Sequence, residues 1–320
     1  MSSNSTMSGL SAEYLAESKV IDLYVGYSIP IPLEILSTGL RLWAELCVHR
    51  NGLAFDDYMM ITATVVSVAL CGSGLALAVP NGMGRHIEAV SGEDFRMVML
   101  AQYVMSHLYH ASVVLTKLSV LALYYRAFPS RTFHKIVIVT AVIICAWLVA
   151  MELFLGLVCH PIASFWGDVD GFCYDMCAYC YFNNIFNLCA DLWIFVLPLP
   201  LILRFRVRRT RKMLLGFLFS VGLATCIVSA VRIAFNEAQC VPDKTWMLVE
   251  LTIFSMWEPL GGILCANLPI IYKPLGMAIC RSFGWSTSIL EDPTPQTRTD
   301  STERTQIMGS ISALEAPDKI

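Results

Sequence analysis

Charge is scarce in this 320-residue sequence. Only 15% of its residues are Asp, Glu, Lys or Arg, where about 25% is usual for a soluble domain. A soluble fold of this length needs a polar surface that so few charges cannot cover. Neither sign predominates: 22 basic residues stand against 25 acidic ones, a formal net charge of −3. Nucleic acid is therefore not an implied partner. No internal repeat marks two transporter halves. The first 19 residues lack the apolar stretch of a secretory signal. Six histidines are too few for a histidine-rich di-iron centre. The last apolar segment holds no lysine before Lys273, so a Schiff-base retinal site is not expected, and no cofactor or metal is called for. What is abundant is apolar: 56% of residues, with a mean hydropathy of +0.62. These values read as an all-α, polytopic membrane protein bound in the lipid bilayer.

A bilayer core of ~30 Å takes ~20 apolar helical residues per crossing. Six segments meet this readily: Tyr58–Val79, Met97–Tyr124, Ile136–Val158, Ala178–Leu203, Met213–Phe235 and Trp246–Tyr272. Ile29–Val48 is weaker, because it carries Pro30, Pro32, Glu34, Arg41 and Glu45. Counting it gives a seven-helix bundle over residues 29–275, between an N-terminal tail (1–28) and a C-terminal tail (276–320) rich in Ser and Thr. Lys and Arg set the orientation. Arg50, Arg126, Arg131, Lys135 and the run Arg204, Arg206, Arg208, Arg209, Arg211 and Lys212 fall on one side, with Lys273 and Arg281. Lys19, Arg85, Arg96 and Lys244 fall on the other. The bias places the N-terminus outside or lumenal and the C-terminus in the cytoplasm, in a plasma membrane or endomembrane.

On the outer side, Asn4-Ser5-Thr6 is a glycosylation sequon. Cys159, Cys173, Cys177 and Cys240 lie at or near the same oxidising side, where four cysteines permit three full pairings. A Cys159–Cys173 bridge would close a loop of ~15 residues. Cys177-Ala-Tyr-Cys180 has a CxxC spacing but no second ligand pair for zinc. Asp56 and Asp57 open their span as N-terminal capping acids. His107 and His110 share one helix face and read as packing or hydrogen-bonding residues.

The most informative residues are charges inside the spans: Lys117, Glu152, Asp191, Arg232, Glu250 and Glu258. Each costs ~2.5–3.5 kcal/mol at a helix centre on insertion scales. They are expected to face the bundle interior and pair. At 1.5 Å per residue, Asp191 and Glu258 sit near mid-membrane. Arg232 and Glu250 share a level toward the outer end, which makes them the expected pair. Lys117 is placed to reach Asp191 or Glu258. Asp191, Glu258 and Lys117 are the candidate catalytic groups, and Glu152, Arg232 and Glu250 complete an intramembrane polar network.

Several short motifs occur in order: Arg41-Leu-Trp43, Asp56-Asp57-Tyr58, Gly82-Met-Gly84-Arg85-His86, Lys117-Leu-Ser119, Tyr124-Tyr-Arg126, Cys159-His-Pro161 with Trp166 and Cys173, Asp191 with Pro198-Leu-Pro200, Ser229-Ala-Val-Arg232, Trp257-Glu258 and Asn267-Leu-Pro269. In this series, over about residues 30–275, the chain resembles the fungal rhodopsin-domain family of integral membrane proteins, which includes a satratoxin-cluster membrane protein. The resemblance implies seven helices, an outer N-terminus and a setting beside secondary-metabolite pathways. It supports counting the first span. Two roles follow as expectations. One is an accessory membrane protein of secondary metabolism that converts a small lipophilic intermediate, with Asp191 or Glu258 as general acid or base and Lys117 or Arg232 tuning it. The other is a receptor-like sensor that couples to a cytoplasmic signalling protein through Arg126, Arg204, Arg206, Arg208 and Arg209.

Overall fold

The computed structural model describes residues 11–49, 52–128, 130–167, 169–200, 209–235 and 243–282. Asn4, Arg204, Arg206 and Arg208 lie outside them, as does the side chain of Arg209. The contacts divide the chain into Met1–Leu275 and Gly276–Ile320.

Nine α-helices occur among the described residues: α1 (Ala12–Ala16), α2 (Val20–Ser28), α3 (Pro30–Trp43), α4 (Phe55–Ser73), α5 (Gly92–Ala127), α6 (Arg131–Gly156), α7 (Met176–Val196), α8 (Arg209–Ala234) and α9 (Lys244–Ser282). Local chemistry sets their ends. The Ser91 hydroxyl accepts from the Asp94 amide at the start of α5, with Glu93 and Asp94 in its first turn and Arg126 in its last. Asp175 caps α7 by accepting from the Cys177 and Ala178 amides. These placements suit the helix dipole. Pro30 stands at the first turn of α3, where a missing N–H is harmless. As a result α2 and α3 follow each other almost without a break. The helical run that leads into α3 thus begins at Val20 rather than at Ile29, and Leu23 and Tyr27 of α2 are fully buried in the core. The expected tail 1–28 is, from residue 20, part of the packed bundle.

The segments Glu13–Val48, Phe55–Ala78, Gly92–Ala127, Arg131–Gly156 and Lys244–Tyr272 are each long and apolar enough to cross a membrane. Helix α7, at 21 residues, extends about 31 Å, but Asn183, Asn184, Asn187 and Asp191 lower its hydropathy. Within α8, the described apolar stretch is Gly222–Ala234. Burial is inverted relative to a soluble protein. Ile138, Val139, Val142, Ile143, Val149 and Leu153 of α6 are more than half exposed, while Arg41, Asp57, Lys117, Asn187, Arg232 and Glu258 are buried. With no water in hydrocarbon to satisfy polar groups, polar side chains turn inward and apolar ones outward. The chain is a multi-pass membrane protein.

One apolar core joins α2, α4, α5 and α9; a second joins α5, α6 and α7. Close approach rests on small residues. A Cβ on Gly261 would lie 2.4 Å from Thr225 of α8, and one on Gly262 would lie 2.7 Å from Thr116 of α5. Glycine at these positions lets α9 touch both neighbours one turn beyond Glu258. After α6, strands β1 (Cys159–His160) and β2 (Phe172–Cys173) pair antiparallel with Cys159 opposite Cys173, and a disulfide joins them. Cys177 is also disulfide-bonded and Cys180 is a free thiol, so the CxxC spacing makes no ligand pair.

The Cys159–Cys173 bridge spans 14 positions, for which the chain-entropy relation gives about 3 kcal/mol. A Cys159→Ser/Cys173→Ser variant is expected to unfold at a lower temperature in detergent, with the helical content at low temperature retained. An unchanged midpoint would show that the hairpin packs without its bridge.

Candidate functional site

Helical spacing builds the site. Tyr109 and Lys117 are eight residues apart on α5. Asn183, Asn187 and Asp191 recur every fourth residue on α7. Thr225, Ser229 and Arg232 follow on α8, and Thr252, Ser255 and Glu258 on α9. Spacings of three and four place each set on one face, and the four faces converge.

Lys117 Nζ pairs with Asp191 Oδ1. The Ser229 hydroxyl donates to Asp191 Oδ2 over 3.1 Å. Glu258 is held on three sides: Tyr109 Oη donates to Oε2 over 2.8 Å, Asn187 Nδ2 donates to Oε1, and Arg232 Nη1 lies 3.2 Å from Oε2. Arg232 Nη1 also donates to Tyr109 Oη, and the guanidinium stacks 4.0 Å from the centre of that ring. Every formal charge in this core has an opposite partner, as a low-dielectric surround demands. Lys117, Asp191 and Glu258 line one cavity of about 90 Å³, whose walls include Val113, Ile194 and Pro259. Buried carboxylates beside fixed cations and an apolar void can exchange protons with a molecule that enters the void.

The structure pairs Arg232 with Glu258 in place of the expected Arg232–Glu250 contact. Side chains lean toward the N-terminus of their own helix, so Arg232 on α8 and Glu258 on the returning α9 lean toward each other. Glu250 is taken by Lys19 Nζ at 2.6 Å, and that ammonium also sits 4.4 Å from the Trp246 ring centre. Glu152 stays apart from both groups. It accepts from His107, through Oε2, and from His110 at 3.2 Å, so the two imidazoles clamp α6 to α5.

A second polar centre ties α3, α4 and α9 together. Arg41 is fully buried. Its Nη2 lies 2.6 Å from Asp56 Oδ2 and its Nε 2.8 Å from Asp57 Oδ1. Its Nη1 donates to the Ala266 carbonyl at 3.2 Å and to Asn267 Oδ1 at 3.4 Å. Asp57 does cap α4, accepting from the Ala54 amide over 2.8 Å, but capping is only half of what the acidic pair does. Arg126 joins this group from α5, 3.3 Å from Glu45 and 3.5 Å from Asp56.

At one end of the bundle, the His86 ring is stacked between Tyr14 and Trp246, with Nδ1 2.6 Å from Asp243. His86, Glu88 and Asp243 offer ligand atoms within 4.8 Å of one another, close enough for an ion. The Nδ1 contact already engages the Asp243 carboxylate.

Sequence reasoning missed Tyr109, Asn187 and the full role of Arg41. The signal was available in the four-residue recurrence of Asn183, Asn187 and Asp191. In the sequence, Arg41 reads as a charge that weakens its span and as part of the motif Arg41-Leu-Trp43, and neither reading gives it Asp56 and Asp57 as partners.

A family model described as fungal rhodopsin domain matches residues 40–277. Among curated relatives, "Polyenoic acids biosynthesis gene cluster protein Ba17b" of Metarhizium anisopliae is 28% identical over 79% of this chain and 74% of its own. "Wortmanamides biosynthesis cluster protein C" of Talaromyces wortmannii is 26% identical over 79% and 70%. "Satratoxin biosynthesis SC1 cluster protein 4" of Stachybotrys chartarum is 25% identical over 57% and 69%.

Removing one partner of a buried pair strands the other charge at a cost of about 3–5 kcal/mol, whereas replacing both is close to neutral. Lys117→Met should therefore lower the thermal midpoint in detergent well below that of Lys117→Met/Asp191→Leu. Equal midpoints would mean that water reaches Asp191 and relieves it. Arg41→Ala should be as damaging as Lys117→Met, because Asp57 loses its cation and Asp56 keeps only the half-exposed Arg126. Arg126→Ala should cost less than either, because the Arg126 side chain is itself 38% exposed, but more than a surface pair, because that of Glu45 is only 4% exposed. The ranking is read from unfolding midpoints of the purified variants.

Proposed function

The chain belongs to the fungal rhodopsin domain family, and on that premise we propose that it is an accessory membrane protein of a secondary-metabolite pathway that converts a small lipophilic intermediate inside its helix bundle. The names of the three relatives given above, each a biosynthesis cluster protein, support the pathway setting. The observation that carries the chemical part is the placement of Lys117, Asp191 and Glu258 around one cavity within apolar helices.

In this reading α7 and α8 complete a seven-helix bundle, with the N-terminus outside and the basic run 204–212 in the cytoplasm. A lipophilic molecule enters from the bilayer. Asp191 exchanges a proton with it, Lys117 steadies the carboxylate between exchanges, and Glu258 is the second carboxyl in reach. Taking a proton from one atom of the substrate and returning one to another is an isomerisation. It balances with no oxidant, reductant or cofactor.

A second reading has one observation in its favour. Arg126 bridges to Glu45 and Asp56 across three helical segments, a contact that could open when a ligand binds and expose Arg126 to a cytoplasmic signalling protein.

The test is metabolite profiling of the fungus with the gene deleted, then complemented with the wild type or with Asp191→Asn. One intermediate should accumulate in the deletion strain. Wild-type membranes should convert it, and Asp191→Asn membranes should do so at least ~10²-fold more slowly, as expected on losing a general acid–base. Deletion that changes many transcripts while no intermediate accumulates would replace this reading with the sensor.

A further inference from the structure

Arg232 carries an unused donor. The residue is 8% exposed, and its bonds to Tyr109 and Glu258 both leave from Nη1. Its Nε is buried with no hydrogen-bond partner. A buried charged donor left unpaired is expensive, and such a group marks a place where something else binds. Arg232 lines a cavity of about 50 Å³. Two acceptors on residues that line the same cavity also lack donors: Asn183 Oδ1, on a residue 3% exposed, and Gln102 Oε1.

Charge balance narrows the occupant. Glu258 already neutralises Arg232, so an added anion would leave a net negative charge in a low-dielectric interior. The occupant is therefore neutral. It must present an acceptor to Nε–H and a donor to Asn183 Oδ1. A carbonyl bonded to N–H or O–H supplies both on neighbouring atoms. The cavity has room for roughly three water-sized groups, which suits such a C(=O)–XH end. Leu70, Met105, Leu251 and Met256 supply apolar contact around it.

A larger pocket of about 550 Å³ shares Gln102 and Met176 with this cavity and reaches the disulfide-linked hairpin, with Met99, Val158, Phe165 and Leu248 in its walls. That volume is in the range of a drug-sized molecule.

We infer that the cavity at Arg232 binds the polar end of a neutral acyl compound, an amide or an un-ionised carboxylic acid, whose hydrocarbon body occupies the larger pocket under the hairpin. This rests on the reading that the bundle accepts a lipophilic molecule, and it adds the chemical class. Arg232 and Asn183 bind and orient the compound.

Binding of tritium-labelled decanamide to the full chain in nanodiscs tests it without any turnover. Decanamide should bind saturably. Methyl decanoate, an acceptor without a donor, and decane, with neither, should compete about tenfold or more weakly. Arg232→Lys keeps a cation for Glu258 but removes Nε–H, and should weaken decanamide by about tenfold or more. Should that variant not fold, Asn183→Leu decides. It should weaken decanamide to a similar degree and leave methyl decanoate unchanged. Absence of saturable decanamide binding, equal affinity for all three probes, or an Asn183→Leu protein that binds decanamide as the wild type does would each overturn the inference. Normal probe selectivity in a protein whose deletion accumulates no intermediate would support this site and remove only the metabolic role.

Discussion

The guanidinium of Arg41 is fully buried, and its position is set by four partners at once. Asp56 and Asp57 take two of its nitrogens, and the Ala266 carbonyl and Asn267 share the third. A full charge in that surround is tolerable only if every partner stays in place. The arrangement therefore joins α3 to the start of α4 and to the proline-containing stretch of α9. Asn267 extends it by donating to Ser37 and Thr38, and Thr38 meets Thr64 at 2.8 Å. These links fix the first helical segment to the bundle although its own hydropathy is modest.

The same constraint orders the rest of the interior. Charges at three further places, Lys117 with Asp191, Arg232 with Glu258, and Glu152 with two histidines, each bring an opposite or hydrogen-bonding partner from another helix. Helix packing and polar pairing support each other here. Gly261 and Gly262 allow α9 to lie against Thr225 and Thr116, and that closeness lets Glu258 reach groups on α5, α7 and α8. Were those glycines larger, α9 would move outward and the carboxylate would lose its donors.

The polar interior is also where the cavities are. The Lys117–Asp191 pair borders one, and Arg232 borders another that shares Gln102 and Met176 with the pocket at the hairpin. A purely structural network would gain most by closing every donor and acceptor within itself. This one leaves Arg232 Nε and Asn183 Oδ1 open, and both residues line one cavity. That asymmetry is the physical basis for reading the bundle as a container for a small molecule as well as a scaffold.

Membrane residence followed from composition alone, because 15% charge cannot coat a soluble surface. The long apolar segments, the inward-facing charges and the reach of Lys117 toward Asp191 were equally open to reading, since burial cost and rise per residue depend only on position along a helix. The family resemblance rested on motifs in order and needed no coordinates. Which charges meet was different. Depth along the bilayer put Arg232 level with Glu250, but depth says nothing about rotation or lean. The direction of the side chains assigned Arg232 to Glu258 and released Glu250 to Lys19. Likewise, Asp56 and Asp57 could be recognised as capping acids from local sequence, while the cation they share comes from Arg41, 15 and 16 residues earlier and on another helix. Local sequence determines what a residue costs to bury; only the packed arrangement of helices decides which partner meets that cost.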